Sequence, residues 1–166
     1  MAGLWTQLQS LVIAMVMAAA AWFGLEPNAR VAKGTVTVTD GDTVKLNGVP
    51  IRLKGMDAPE LRQTCRDRDG APYRCGEVAR SALEEHVAGR SLTCRITGRD
   101  RYQRALAACS VDGGDIGAWL VERGLAVGYG GYEREEARAR ARGEGLWAGE
   151  FQRPADWRRE HSSRRT

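Results

Sequence analysis

The stretch that decides the fold is Thr35-Val36-Thr37-Val38-Thr39-Asp40-Gly41-Asp42-Thr43-Val44-Lys45-Leu46-Asn47-Gly48-Val49-Pro50-Ile51-Arg52-Leu53-Lys54. Thr35 to Thr39 is rich in β-branched residues, which pack well on a pleated surface. Asp40-Gly41-Asp42 reads as a turn. Thr43 to Leu46 follows as a second strand. Asn47-Gly48 then marks a tight hairpin, because both turn positions need positive φ and these two residues tolerate it. Val49 to Lys54 is a third strand, so the stretch predicts a three-stranded meander.

Outward from the meander, a long loop runs from Gly55 to Gly76. Glu77 to Val87 reads as a helix, with Val78, Ala82, Leu83 and Val87 on one face and Gly89 as its stop. Ser91 to Thr97 and Arg104 to Val111 read as a fourth and fifth strand around a turn near Arg99 to Gln103. Asp115 is placed to cap a second helix, with Ile116, Trp119 and Leu120 inward and Gly124 at its end. Glu133 to Arg142 reads as a third helix, opened by Glu133, Glu135 and Glu136 and closed by Arg138, Arg140 and Arg142, as the helix dipole favours. The order β-β-β-α-β-β-α-α predicts a mainly β, α+β fold: a five-stranded OB-type barrel with three helices.

The ends differ in character from residues 31–155, which read as one folded domain. The first 25 residues carry no charged side chain, and Leu11 to Leu25 is an unbroken run of apolar and small residues. Residues 1–30 are therefore expected to be a signal peptide or an N-terminal membrane anchor. The domain would then be exported: periplasmic, secreted or held at the membrane outside the cytoplasm. Residues 156–166 are expected to form a charged, frayed tail. There are 4 cysteines, which allow three pairings, and none lies in a CxxC spacing. Behind an export-like segment they read as two disulfides. If the fourth and fifth strands pair, Cys94 and Cys109 fall near opposite positions, which favours Cys94–Cys109 and leaves Cys65–Cys75 to pin the long loop. The net charge of +4 suits a polyanionic partner without requiring one.

Two charged clusters lie at strand ends. One is Asp40-Gly41-Asp42-Thr43 with Arg52 and Asp57-Ala58-Pro59-Glu60; the other is Asp100-Arg101-Tyr102-Gln103-Arg104. Phosphodiester hydrolysis needs a hard cation, for which carboxylates and carbonyls are natural ligands. It needs a carboxylate to act on water, and guanidinium groups to meet charge on the phosphoryl oxygens. Taken singly, each motif is an ordinary turn, loop or solvated arginine. Together, at the ends of neighbouring strands, they supply all three requirements.

The stretches VTDGDTVKL, IRLKGMDAPE, DRYQRALA, LVERGLA and GLW, spanning Val38 to Trp147, resemble the thermonuclease (staphylococcal nuclease-like) family. The resemblance implies a five-stranded OB barrel with three helices and a calcium-dependent nuclease cutting DNA and RNA. It implies Asp42 and Asp57 as calcium ligands with the backbone carbonyl of Ala58. It implies Glu60 as general base, or as the group that orients the water. Arg52 and Arg104 would stabilise the phosphoryl transition state, and 3′-phosphate ends would remain. Arg101 and Tyr102 match residues that hold a terminal phosphate of the nucleotide. Tyr129 and Tyr132 match a region where tyrosines pack on the nucleotide; the alternative for both is core packing or a surface lid. Gln103 departs from the pattern, standing where the family usually has glycine. Nothing demands more than a monomer. The competing readings are a non-catalytic OB module that binds nucleic acid or protein, and a membrane-tethered domain whose acidic cluster merely binds calcium.

Overall fold

The computed structural model describes residues 29–163 and, before them, residues 9 and 15. The expected signal or anchor at residues 1–30 therefore lies almost wholly outside the described residues. Among those described, no helix is long and apolar enough to cross a membrane.

The strands are β1 (Arg30–Gly34), β2 (Val36–Val38), β3 (Thr43–Leu46), β4 (Val49–Leu53), β5 (Met56–Asp57), β6 (Cys65–Arg66), β7 (Pro72–Tyr73), β8 (Leu92–Arg99), β9 (Ala105–Val111), β10 (Gly114–Asp115) and β11 (Val127–Gly128). The α-helices are α1 (Cys75–Val87), α2 (Ile116–Glu122), α3 (Glu133–Arg142) and α4 (Pro154–Ser163), with a 3-10 turn at Gly145–Ala148 between the last two. The main sheet runs β1-β8-β9-β4-β3-β2, with β10 added on β9. β2, β3 and β4 form the expected antiparallel meander, with Val44 opposite Ile51 and Thr43 opposite Arg52. β4 then pairs parallel with β9. Val38, Val44, Leu46, Ile51 and Leu53 turn inward while Lys45 faces solvent, the alternation that buries one face of a sheet.

Three expectations need correction. The sheet is an open hydrogen-bonded path rather than a closed five-stranded barrel, and its two ends, β1 and β2, are joined through Thr35. An additional strand, β1, pairs antiparallel with β8. Four α-helices are present among the described residues, not three. The fourth, α4, occupies the region expected to be a frayed tail. Pro154 stands at its first position, where its missing N–H costs nothing, and Asp156 lies in the first turn. Trp157 and His161, one turn apart, stack at 3.9 Å.

α1 buries Cys75, Ala79, Leu83 and Val87 at a spacing of four, while Val78, expected inward, is exposed. The inward face is thus rotated by about one residue from the one read in the sequence. Asp115 caps α2 as expected, its side chain accepting from the Ala118 N–H at 2.8 Å. Both disulfides form as expected, Cys65–Cys75 across the β6–β7 loop and Cys94–Cys109 between directly paired residues of β8 and β9.

Candidate active site

The site is assembled at the ends of β3, β4 and β9. The Asp40 carboxylate accepts from the Asp42 N–H at 3.1 Å, which shapes the 40–42 turn. The Asp42 carbonyl accepts from the Leu53 N–H at 2.8 Å, tying that turn to β4. Gly41 lets the turn press closely on its neighbours: a Cβ there would lie 2.7 Å from the Ala58 methyl and 3.1 Å from that of Ala79. Gly76 plays the same part for the Glu60 loop, since a Cβ on it would run into the Glu60 carbonyl.

Because Thr43 pairs with Arg52, the arginine leaves the sheet beside Asp42. One guanidinium nitrogen donates to Asp42 Oδ1 at 2.7 Å, and the other to Asp57 Oδ1 at 2.8 Å. Asp42 and Asp57 are only 5% and 1% exposed, so this shared cation compensates two buried carboxylates. Thr43 Oγ1 and the Ala58 N–H also donate to Asp42, at 3.0 and 3.4 Å. Burial pushes the Asp42 carboxyl up to about 7; Arg52 pulls against it, and Asp40 and Asp57 add to it. Asp57 is fixed by β5, which pairs with β11.

Arg104 comes from the loop before β9. Its Nε donates to Asp100 Oδ2 at 2.7 Å and its Nη1 to Thr43 Oγ1 at 3.3 Å, so it is linked through Thr43 to Asp42. Burial tends to raise the Asp100 carboxyl, but hydrogen bonds from the side chain and amide of Arg104 and from the Tyr102 amide outweigh it and hold the carboxyl below its usual range. Gln103 adopts φ +64, the left-handed conformation that a glycine would take, and the turn closes with the Gln103 N–H on the Asp100 carbonyl at 3.0 Å. The departure from glycine therefore leaves Arg104 held in the turn.

A third guanidinium, not singled out from the sequence, enters from α4. Arg158 donates from Nη1 to Asp57 Oδ1 at 2.9 Å and to Glu60 Oε1 at 3.0 Å, and from Nη2 to Asp57 Oδ2 at 2.8 Å. The hydrogen bonds to Asp57, then those to Glu60, raise the Arg158 pKa above the ordinary arginine value against the opposing effect of burial. Gln63, fully buried, links the same parts of the chain. Its Oε1 accepts from the Glu60 N–H at 3.2 Å, and its Nε2 donates to the Gln152 carbonyl at 2.6 Å, two residues before α4.

A model described as Staphylococcal nuclease homologue matches residues 50–149. The chain belongs to that family. Among its relatives, the succinoglycan biosynthesis protein ExoI of Rhizobium meliloti (strain 1021) is 40% identical over 121 residues, covering 69% of this chain and 63% of the relative. A probable staphylococcal-like nuclease of Oryza sativa subsp. japonica is 32% identical over 151 residues, 87% of this chain but 40% of its own length. An uncharacterized endonuclease of Haemophilus influenzae is 29% identical over 137 residues, 75% of this chain and 71% of its own. The chain thus spans less than two thirds of the first two relatives and more of the third.

Of the remaining positions implied by the resemblance, Arg101 and Tyr102 lie beside Arg104, and Tyr129 and Tyr132 both lie against Gly55. Tyr102 is exposed, with the Arg101 and Arg104 guanidinium groups 4.8 and 5.6 Å from its ring centre. Tyr129, also exposed, follows β11, and its N–H donates to the Gly55 carbonyl at 2.9 Å. Tyr132 is half-buried against the main core, and its hydroxyl donates to Asp115 at 3.0 Å. Burial, and next the Asp115 carboxylate, push its phenol well above the usual range. Part of the Tyr132 ring thus packs on the core while Asp115 holds its hydroxyl.

Proposed function

We propose that this chain is a calcium-dependent nuclease that hydrolyses phosphodiester bonds of DNA and RNA with little sequence preference and leaves 3′-phosphate ends. The observation that carries the reading is the Arg52 guanidinium shared by two buried carboxylates, Asp42 and Asp57. This pair is linked through Thr43 to Arg104 and through Arg158 to Glu60. Asp42, Asp57 and the Ala58 carbonyl are hard oxygen donors of the kind calcium takes. Among the described residues, no three His, Cys, Asp or Glu side chains converge as a ready-made cage. Bound there, calcium would supply a Lewis-acidic centre for a phosphoryl oxygen and the attacking water.

The chain's own groups do the rest. Glu60 takes the proton of the water that attacks phosphorus, or orients that water. Arg52 and Arg104 meet the charge on the phosphoryl oxygens with paired N–H donors as the 5′ oxygen leaves. Arg101 and Tyr102 face a terminal phosphate. The exposed Tyr129 ring gives a base a surface on which to stack, which suits weak sequence preference. The two disulfides suit an oxidising compartment and so an exported domain, acting as a monomer.

The test is cleavage of single-stranded DNA by the full-length chain in calcium and in excess chelator, beside Glu60→Gln. Calcium-dependent cutting that falls by about 10²- to 10⁴-fold in Glu60→Gln supports the assignment. No cutting by folded protein with both disulfides formed overturns it.

A further inference from the structure

Arg158 stands in the same relation to the site as Arg52. Arg52 bridges Asp42 and Asp57; Arg158 bridges Asp57 and Glu60. Both use the guanidinium fork, whose donor pair also fits two oxygens of a phosphate. The Arg158 side chain is 35% exposed, against 19% for Arg52, so it is the more accessible of the two to a ligand from solvent. Its placement has several supports. Pro154 is buried at the head of α4, Gln63 ties Gln152 to the Glu60 loop, and Arg153 donates to the buried Glu136 at 2.7 Å. The neighbouring Arg159 has no such place: it is 80% exposed and, among the described residues, pairs with Asp156 on its own helix.

We propose that Arg158 is a further substrate-binding residue of the candidate site, a third guanidinium that holds Asp57 and Glu60 in the free protein and donates to a nucleic-acid phosphate in the complex. The proposal rests on the nuclease reading for the reaction but not for the binding. For Asp57 to ligate a cation through Oδ2, the fork must release that oxygen, and the freed N–H donors then lie where a phosphate bound beside Asp57 and Glu60 needs them. The helix that carries Arg158 is accordingly part of the site.

The experiment measures two quantities for full-length wild type, Arg158→Ala, Arg158→Lys and Arg159→Ala. One is the affinity, in calcium, for a fluorescent phosphorothioate-linked oligothymidylate that resists cutting. The other is the rate of cutting of the ordinary oligonucleotide. Arg158→Ala should bind about ten- to a hundredfold more weakly, and the slope of log affinity against log salt should fall by about 1. Arg158→Lys, which keeps the charge but not the fork, should fall between, and Arg159→Ala should match wild type. Should Arg158→Ala not fold, Arg158→Lys and Arg158→Gln give the same ordering. If wild type binds and Arg158→Ala weakens binding although neither cuts, the nuclease reading fails and the Arg158 assignment stands. If wild type cuts while Arg158→Ala binds and cuts as well or better, Arg158 is an inhibitory plug and the assignment fails alone. A wild type that neither binds nor cuts ends both.

Discussion

Replacing Arg52 by alanine removes the cation that Asp42 and Asp57 share, now held at 2.7 and 2.8 Å. Removing one partner of a buried ion pair costs about 3–5 kcal/mol, because the other charge stays buried without compensation. Here Asp57 keeps Arg158, whereas Asp42 keeps, among the described residues, the neutral donors of the Thr43 hydroxyl and the Ala58 amide. The loss should therefore lie near the lower end, about 3 kcal/mol, or about 12 °C in Tm at about 4 °C per kcal/mol for a domain of this size. The loss should also depend on pH. The Asp42 carboxyl is already pushed up to about 7 with Arg52 in place, and it rises further without it. The variant's native state then binds more protons than that of wild type around neutrality, so its deficit grows as the pH rises. Urea unfolding in excess chelator at pH 8 and pH 6 reads both effects. A loss under about 1 kcal/mol at pH 8, or an equal loss at both pH values, would refute the view that these carboxylates are buried and compensated by Arg52.

Three further outcomes are expected. Cys94→Ala with Cys109→Ala should lower stability by about 3 kcal/mol in thermal unfolding, the loop-closure value for the 15-residue separation of this disulfide. Gln103→Gly should change stability by less than about 1 kcal/mol and leave cleavage within twofold, since relief of the left-handed conformation is offset by the greater freedom of glycine when unfolded. His86 stacks on Trp119, and burial, then Arg90 and Arg123, hold its imidazole below the ordinary 6.5. The folded state thus binds fewer protons there than the unfolded chain. The stabilisation is present above pH 6.5 and is lost as the pH falls through the folded value. Tm measured from pH 7.5 to 5 should fall less steeply in His86→Gln than in wild type.

What was legible in the sequence was local. The Asn47-Gly48 hairpin and the alternation around it place Thr43 opposite Arg52, and that register brings Arg52 to Asp42. The Asp115 cap and the span Glu133–Arg142 were legible for the same reason, since caps and charge order act within one turn. β1 was not, because its partner is β8, far along the chain, and Val31 faces solvent rather than marking an inward face. The placing of β1 and β2, adjacent in the chain, at opposite ends of one sheet path is likewise a property of the sheet as a whole, not of any segment.

The C-terminal helix shows how two local signals can compete. Its arginines and serines read as a solvated tail, yet Pro154, Asp156 and the Trp157–His161 pair are helix signals in the right order. They prevail because burial of Pro154, the Arg153–Glu136 ion pair and the Gln63–Gln152 hydrogen bond add tertiary support that composition does not express. No periodicity links Arg158 to Asp57 and Glu60, which precede it by 101 and 98 residues. Asp57 is buried and accepts from Arg52 on one oxygen; Arg158 supplies donors to its other oxygen and to the half-exposed Glu60. Counting the carboxylates of a site against the cations within reach is thus a way to look for residues that motif spacing leaves out.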